Sequence, residues 1–184
     1  MRKALLIGLA LPLLMSSPAS GDPVGSVRIT AGAAELRAPE FRSSGAGWLA
    51  GIELQPHRAW PFFGFTFGNL PMPNASRPLG LMRFGATYIV SPVKAGLEFL
   101  LTGGAQWTRF PGQDELPLAS GGFFDTHRLR GTSPYVGAGV GLEVRVGRSS
   151  RLSLNVGISD AFIDGSSYWY PSVGVSLLGD VDSW

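Results

Sequence analysis

The sequence contains no cysteine, which excludes a disulfide scaffold and any thiolate metal site. It is also short of charge. Asp, Glu, Lys and Arg make up 15% of its 184 residues, whereas a soluble domain carries about 25%. The shortfall is not that of a disordered chain, because 45% of the residues are hydrophobic and the mean hydropathy is +0.17. Only two histidines, His57 and His127, are present. The 26 glycines follow no G-X-Y period, so the chain is not collagen-like. Beyond the first 21 residues no apolar run approaches the ~18 residues of a membrane helix, and no stretch has a clear helical period.

The N-terminus is the exception to the missing apolar runs. Arg2 and Lys3 precede an apolar core, Ala4 to Met15, and a small-residue exit, Ser16-Ser17-Pro18-Ala19-Ser20-Gly21. That order is the signature of a secretory signal peptide. The core is too short to span a membrane and contains Pro12. The expected division is therefore a cleaved leader, residues 1–21, followed by one domain, residues 22–184. Removing the leader leaves thirteen basic against thirteen acidic residues. The basicity belongs largely to the leader, and nothing argues for nucleic acid as a partner.

What fills the rest is alternation. Val27, Ile29, Ala31 and Ala33 alternate with Ser26, Arg28, Thr30 and Gly32; Phe63, Phe65 and Phe67 with Gly64, Thr66 and Gly68; Val136, Ala138, Val140, Leu142 and Val144 with Gly137, Gly139, Gly141, Glu143 and Arg145. Eight segments of this kind follow one another, each with the period of a two-faced strand. Short, turn-forming links at 55–58, 91–93 and 147–150 alternate with longer ones at 37–46, 70–78 and 110–131, and the link at 160–167 is intermediate. This describes an all-β, eight-stranded, antiparallel up-and-down barrel.

Size decides which face points inward. An eight-stranded barrel has room inside for side chains or one small ligand. Small Gly, Ser and Thr suit that space; Phe, Trp, Leu and Val need an apolar surround. The bulky face therefore points out, into lipid, and the barrel is transmembrane, with segments near the about 9–11 residues that a tilted strand needs. The inward face then carries Arg28, Arg83, Lys94, Arg145 and Arg151 with Glu53, Glu98 and Glu143, expected to pair in the lumen and plug it. Aromatics near the strand ends, Trp48, Trp107, Tyr135, Trp169 and Tyr170 at one end and Trp60 and Tyr88 at the other, are expected as interfacial girdles.

On these residues the chain resembles the small outer-membrane β-barrels of Gram-negative bacteria, of the OmpA transmembrane-domain and OmpX type, from about residue 24 to 179. The resemblance implies the cell outer membrane as location, with outer-membrane lipid and lipopolysaccharide as surroundings and the barrel-insertion machinery as a partner. It also implies an insertion signal at the C-terminus, either at Trp184 or at Val173, Val175 and Leu177, since Gly179-Asp180-Val181-Asp182-Ser183 interrupts the alternation.

Candidate chemistry is sparse. Asp125, His127 and Ser133 are the residue types of a hydrolase triad, but a long loop offers little preorganisation. Lipid A-modifying barrels include deacylases with His and Ser on a late outward strand; Ser153 to Ser159 contains no His. Gly137-x-Gly139-x-Gly141 places its glycines on one strand face with no helix after them, so it is no nucleotide fingerprint. No cofactor or metal is expected, and no catalytic residue. The expected function is non-enzymatic: structural, or recognition of an unknown extracellular ligand through the long loops. The alternatives are a narrow channel for small or apolar solutes, a lipid A-modifying enzyme, and a soluble lipocalin-like binder. The last lacks the expected Gly-x-Trp and the helix after the barrel.

Overall fold

The computed structural model describes residues 25–38, 43–57, 59–90, 96–111, 115–118, 121–163 and 165–181. The leader, Lys94 and Trp184 lie outside them. Eight long strands form the wall: β1 (Gly25–Ala34), β2 (Gly47–Gln55), β3 (Phe62–Leu70), β4 (Leu79–Val90), β5 (Leu97–Arg109), β8 (Gly131–Arg145), β9 (Ser150–Ile163) and β10 (Ser166–Val181). Each pairs antiparallel with its neighbours, and β10 returns to β1, so the sheet closes without a free edge. Two further strands, β6 (Glu115–Pro117) and β7 (Phe123–Asp125), form a separate ribbon in the longest loop.

The register fixes the barrel's geometry. From Arg28, successive paired residues are Glu53, Gly64, Gly85, Gly104, Tyr135, Ala161 and Tyr168. Because Arg37 bridges Trp169, Tyr168 lies opposite residue 38, ten positions along from the start. That stagger tilts the strands, as closure of eight requires. An even stagger also preserves the side-chain parity, so inward residues meet inward residues across every seam. Outward positions such as Ile52, Phe65, Phe84, Leu101, Leu142 and Leu154 are exposed, whereas inward Arg28, Glu98, Gln106, Ser153 and Ser176 are buried.

Glycine makes room for this interior. A Cβ on Gly141 would stand 2.6 Å from Asn155 Oδ1, 2.9 Å from Ser153 Oγ and 3.0 Å from Glu98 Oε2. Gly141→Val is therefore expected to cost about 1–3 kcal/mol by overpacking. Leu142→Val, one residue on and facing outward, is expected to cost less. Urea midpoints of the two refolded variants check the contrast; equal midpoints would contradict the assigned faces.

Three expectations from the sequence need correction. The 160–167 link is a tight turn, since β9 runs to Ile163 and β10 starts at Ser166. Gly179 and Asp180 do not end the last strand: Gly179 pairs with Val27 and Asp180 with Ser26. The long loop, expected to offer little preorganisation, carries regular structure among its described residues. Gly121 and Gly122, at φ +85° and +92°, turn the β6–β7 ribbon, and a 3₁₀ turn, Thr126–Leu129, follows it. The Asp125 carboxylate caps that turn by accepting the His127 backbone N–H at 2.9 Å.

Candidate functional site

The barrel interior has a polar part toward the short turns and an apolar part toward the long loops. Nearest the short turns, Arg151 pairs with Glu143 at 3.3 Å and Asp180 at 2.9 Å, and Ser26 donates to Asp180 at 3.0 Å. Further in, Arg28 meets Glu53 Oε2 at 3.1 Å while Thr87 donates to Glu53 Oε1 at 2.6 Å. Beside this pair runs a hydrogen-bonded chain that starts at a further buried carboxylate, Glu98. Ser153 Oγ lies 2.8 Å from both Glu98 Oε2 and Asn155 Oδ1; Asn155 donates to Ser176 at 2.7 Å, and Ser176 sits 2.9 Å from Thr30. Burial of these ions is tolerable because each carboxylate has a cationic or hydroxyl partner.

Arg83 differs from its neighbours. Its Nε donates to Gln106 Oε1 at 2.9 Å, and Gln106 donates onward to the Tyr170 hydroxyl at 2.8 Å. The guanidinium carbon lies 4.8 Å from the Tyr135 ring centroid and 4.6 Å from that of Tyr170. Aromatic faces thus stabilise a cation here where Arg28 and Arg151 have carboxylates. Gly85 creates the space, since a Cβ there would stand 2.6 Å from the Tyr135 hydroxyl.

Above Arg83 the interior is apolar. Leu36, Leu70, Met72, Leu79, Phe110, Leu116, Phe124 and Leu129 join Tyr135, Tyr168 and Tyr170 in one buried cluster. Leu36 and Met72 come from two loops; Leu116, Phe124 and Leu129 come from the ribbon and 3₁₀ turn of the third. Polar ties hold the loops down. Arg130 Nε donates to the Phe110 carbonyl at 3.1 Å, Ser43 Oγ accepts the Leu36 N–H at 3.1 Å, and Asn74 reaches the Pro117 carbonyl at 3.4 Å. Between this cap and the Arg28–Glu53 pair lies a cavity of about 160 Å³.

Of the eight charges expected in the lumen, Arg28, Glu53, Arg83, Glu98, Glu143 and Arg151 face it as described, and Lys94 lies outside the described residues. Arg145 needs correction. It is exposed and donates to the Arg148 carbonyl at 3.1 Å, because at the strand's end its long side chain reaches the turn and water. Among the expected girdle residues, Trp48, Trp60, Trp107 and Trp169 are exposed outside, with Trp48 edge-on to Phe67 at 5.8 Å, and Tyr88 is half-buried. Tyr135 and Tyr170 are corrections: both are buried against Arg83. Asp180 joins the lumen unannounced. Inward parity carried from Ser176 through Leu178 reaches it, which is the signal in the sequence that locates it.

The candidate chemical residues are not drawn together. His57 Nδ1 accepts the Ala59 N–H at 3.2 Å within its turn, and Ser133 is buried on the inner wall while His127 is exposed on the loop. Among the described residues no three His, Asp or Glu side chains gather as a metal site.

No protein-family profile matches the sequence, and neither does any curated protein. Solved structures do. Neisserial surface protein A (NspA) superposes with a TM-score of 0.57 at 14% identity, over 85% of this chain and 96% of that one. The N-terminal β-barrel domain of Pseudomonas aeruginosa OprF gives a TM-score of 0.55, also at 14% identity, over 83% of this chain and 96% of the other. With its closed antiparallel sheet of eight strands and outward apolar face, the chain has the fold of the small eight-stranded outer-membrane β-barrels.

Proposed function

We propose that the protein resides in the bacterial outer membrane as a non-enzymatic barrel with a plugged lumen, serving a structural or surface-recognition role through its long loops. The observation that carries this reading is the apolar cap. Leu36, Leu70, Phe110, Leu116, Phe124 and Leu129 close the long-loop mouth with buried side chains, a poor lining for a water-filled pore and a rigid base for loops that present a surface. Phe123, at the β7 end of that surface, is 69% exposed. Trp48, Trp107 and Trp169 would lie at the lipopolysaccharide boundary and Trp60 and Tyr88 at the opposite one. Insertion would use the barrel-insertion machinery.

Fractionation with and without boiling before electrophoresis tests the location. A heat-modifiable band in the outer-membrane fraction is expected, and recovery as a soluble periplasmic protein would overturn the reading. Planar-bilayer recording tests the plug. The purified barrel is expected to show no steady conductance. Steady conductance abolished by lumen substitutions would establish the second reading, a narrow channel, for which the 160 Å³ cavity provides the inner chamber.

A further inference from the structure

The described lumen holds more acid than base. Its carboxylates are Glu53, Glu98, Glu143 and Asp180, against Arg28, Arg83 and Arg151. Two of these arginines are engaged elsewhere. Arg28 on β1 closes on Glu53 of β2, and Arg83 on β4 is held by Gln106 between two tyrosine rings. Arg151 on β9 serves both Glu143 on β8 and Asp180 on β10. Among the described residues no cation pairs with Glu98 on β5, which is only 3% exposed. Lys94, on the link before β5, lies outside those residues. A carboxylate ionised in such a place, with only neutral partners, is costly.

The geometry points to a proton held between Glu98 and Glu143 in the folded barrel at neutral pH, a bridge from β5 to β8 that only an acid–carboxylate pair can make. Register brings the two together. Glu98 pairs with Gly141 and Leu97 with Leu142, so Glu143 is the diagonal neighbour of Glu98 on the same inner face. Gly141 places no side chain opposite Glu98, and the two carboxyl groups come within hydrogen-bonding reach of each other. Two ionised carboxylates would repel there, whereas a carboxylic acid donating to a carboxylate makes a strong, charge-assisted bond. The surroundings assign the two roles. Glu143 has Arg151 at 3.3 Å and is the ionised member; Glu98 is the buried acid, with the Ser153 hydroxyl at 2.8 Å able to donate or accept. The bound proton also balances the interior, leaving three negative charges against three arginines. The pair is a pH-sensitive latch between the two strands that carry the longest loop. It rests on the lumen alone and holds wherever the barrel resides.

The pH dependence of folding tests the proton. Glutamates of the unfolded chain ionise near pH ~4.3. Above that range the folded barrel binds one proton more than the unfolded chain, so its stability falls as pH rises, the opposite sign to an ion-paired carboxylate. Urea unfolding of the refolded barrel in zwitterionic micelles is compared with that of Glu98→Gln, which has nearly the same shape and cannot ionise. The histidines and other carboxyls contribute to both proteins, so the ratio of their unfolding constants isolates the pair. Wild type over variant, that ratio is expected to rise about tenfold per pH unit from roughly pH 5 to neutrality. Infrared spectra of the folded wild type at neutral pH need no variant, and a protonated-carboxyl band is expected. Glu98→Gln is expected to remove the band and Glu143→Gln to shift it, because the acceptor changes from carboxylate to amide; Glu115→Gln, on the exposed ribbon, is expected to leave it unchanged. A ratio that stays flat, a band that survives Glu98→Gln, or one that Glu143→Gln leaves unshifted would each overturn the proposal. So would the absence of the band, the result expected if Lys94 supplied a counter-ion to an ionised Glu98.

Discussion

Phe65→Arg is expected to destabilise the barrel in a bilayer by about 2–4 kcal/mol, the cost of a cation on the lipid face near the midplane. Phe65 lies midway along β3, is 52% exposed, and stacks obliquely on Phe84 with ring centroids 5.0 Å apart. Its paired neighbours Ile52 and Phe84 also face outward. The inserted guanidinium would therefore meet no acid and no water at that depth. Trp60→Arg provides the control. Trp60 stands beyond the start of β3, at the short-turn rim, where the expected cost falls to about 0–1 kcal/mol. Urea unfolding in liposomes, followed by the mobility of unboiled samples, measures both. The two variants also separate a membrane barrel from a soluble one. If water bathed the outer wall, Phe65→Arg would cost no more than Trp60→Arg and would improve solubility, and that outcome would contradict a lipid-facing band.

Most of the wall is legible in the sequence, because period-two alternation is a local property and the closed sheet respects it on every strand. The composition carries the same message in a second form. Glycine at Gly85 and Gly141 marks where inward side chains leave no room for a Cβ, and phenylalanine at Phe63, Phe65 and Phe67 marks where nothing restricts size. The interior's upper half is less legible for physical reasons. Phe110, Leu116, Phe124 and Leu129 follow neither a strand nor a helix period, and they are buried by Leu36, Leu70 and Leu79, residues far away along the chain. Tyr135 and Tyr170 have inward parity, but tyrosine suits a membrane interface as well as a buried cation, since it joins an apolar ring to a polar tip. Only the position of Arg83 on a third strand decides between the two. Asp180 is hidden in the sequence by Gly179: a Gly-Asp pair ordinarily marks a turn, and here the ladder with β1 runs past it to Val181 while that with β9 reaches Gly179.

The central ion pair should show the same dependence on context in its energetics. Glu53→Ala is expected to cost about 3–5 kcal/mol, the penalty for leaving a buried charge without its partner. Arg28 has a side chain only 5% exposed and Glu53 one of 14%, so water has little access to either. The substitution also removes the acceptor of the Thr87 hydroxyl, 2.6 Å away. The large value measures the isolated arginine rather than the worth of the pair. Replacing both residues together, Arg28→Met with Glu53→Leu, is therefore expected to recover most of the loss, because two desolvated charges are exchanged for apolar contacts of similar volume. Arg151→Ala, by contrast, is expected to cost about 1 kcal/mol. Its side chain is 32% exposed, so its two ion pairs are screened by water, and Asp180 keeps the Ser26 hydroxyl when it goes. Urea midpoints for the two single variants, the double variant and Arg151→Ala form one series. A double variant as unstable as Glu53→Ala would show that the pair stabilises the barrel outright. Recovery would show that its carboxylate is needed because the arginine is there, which is the condition that Arg83, with no carboxylate, meets through its two tyrosines.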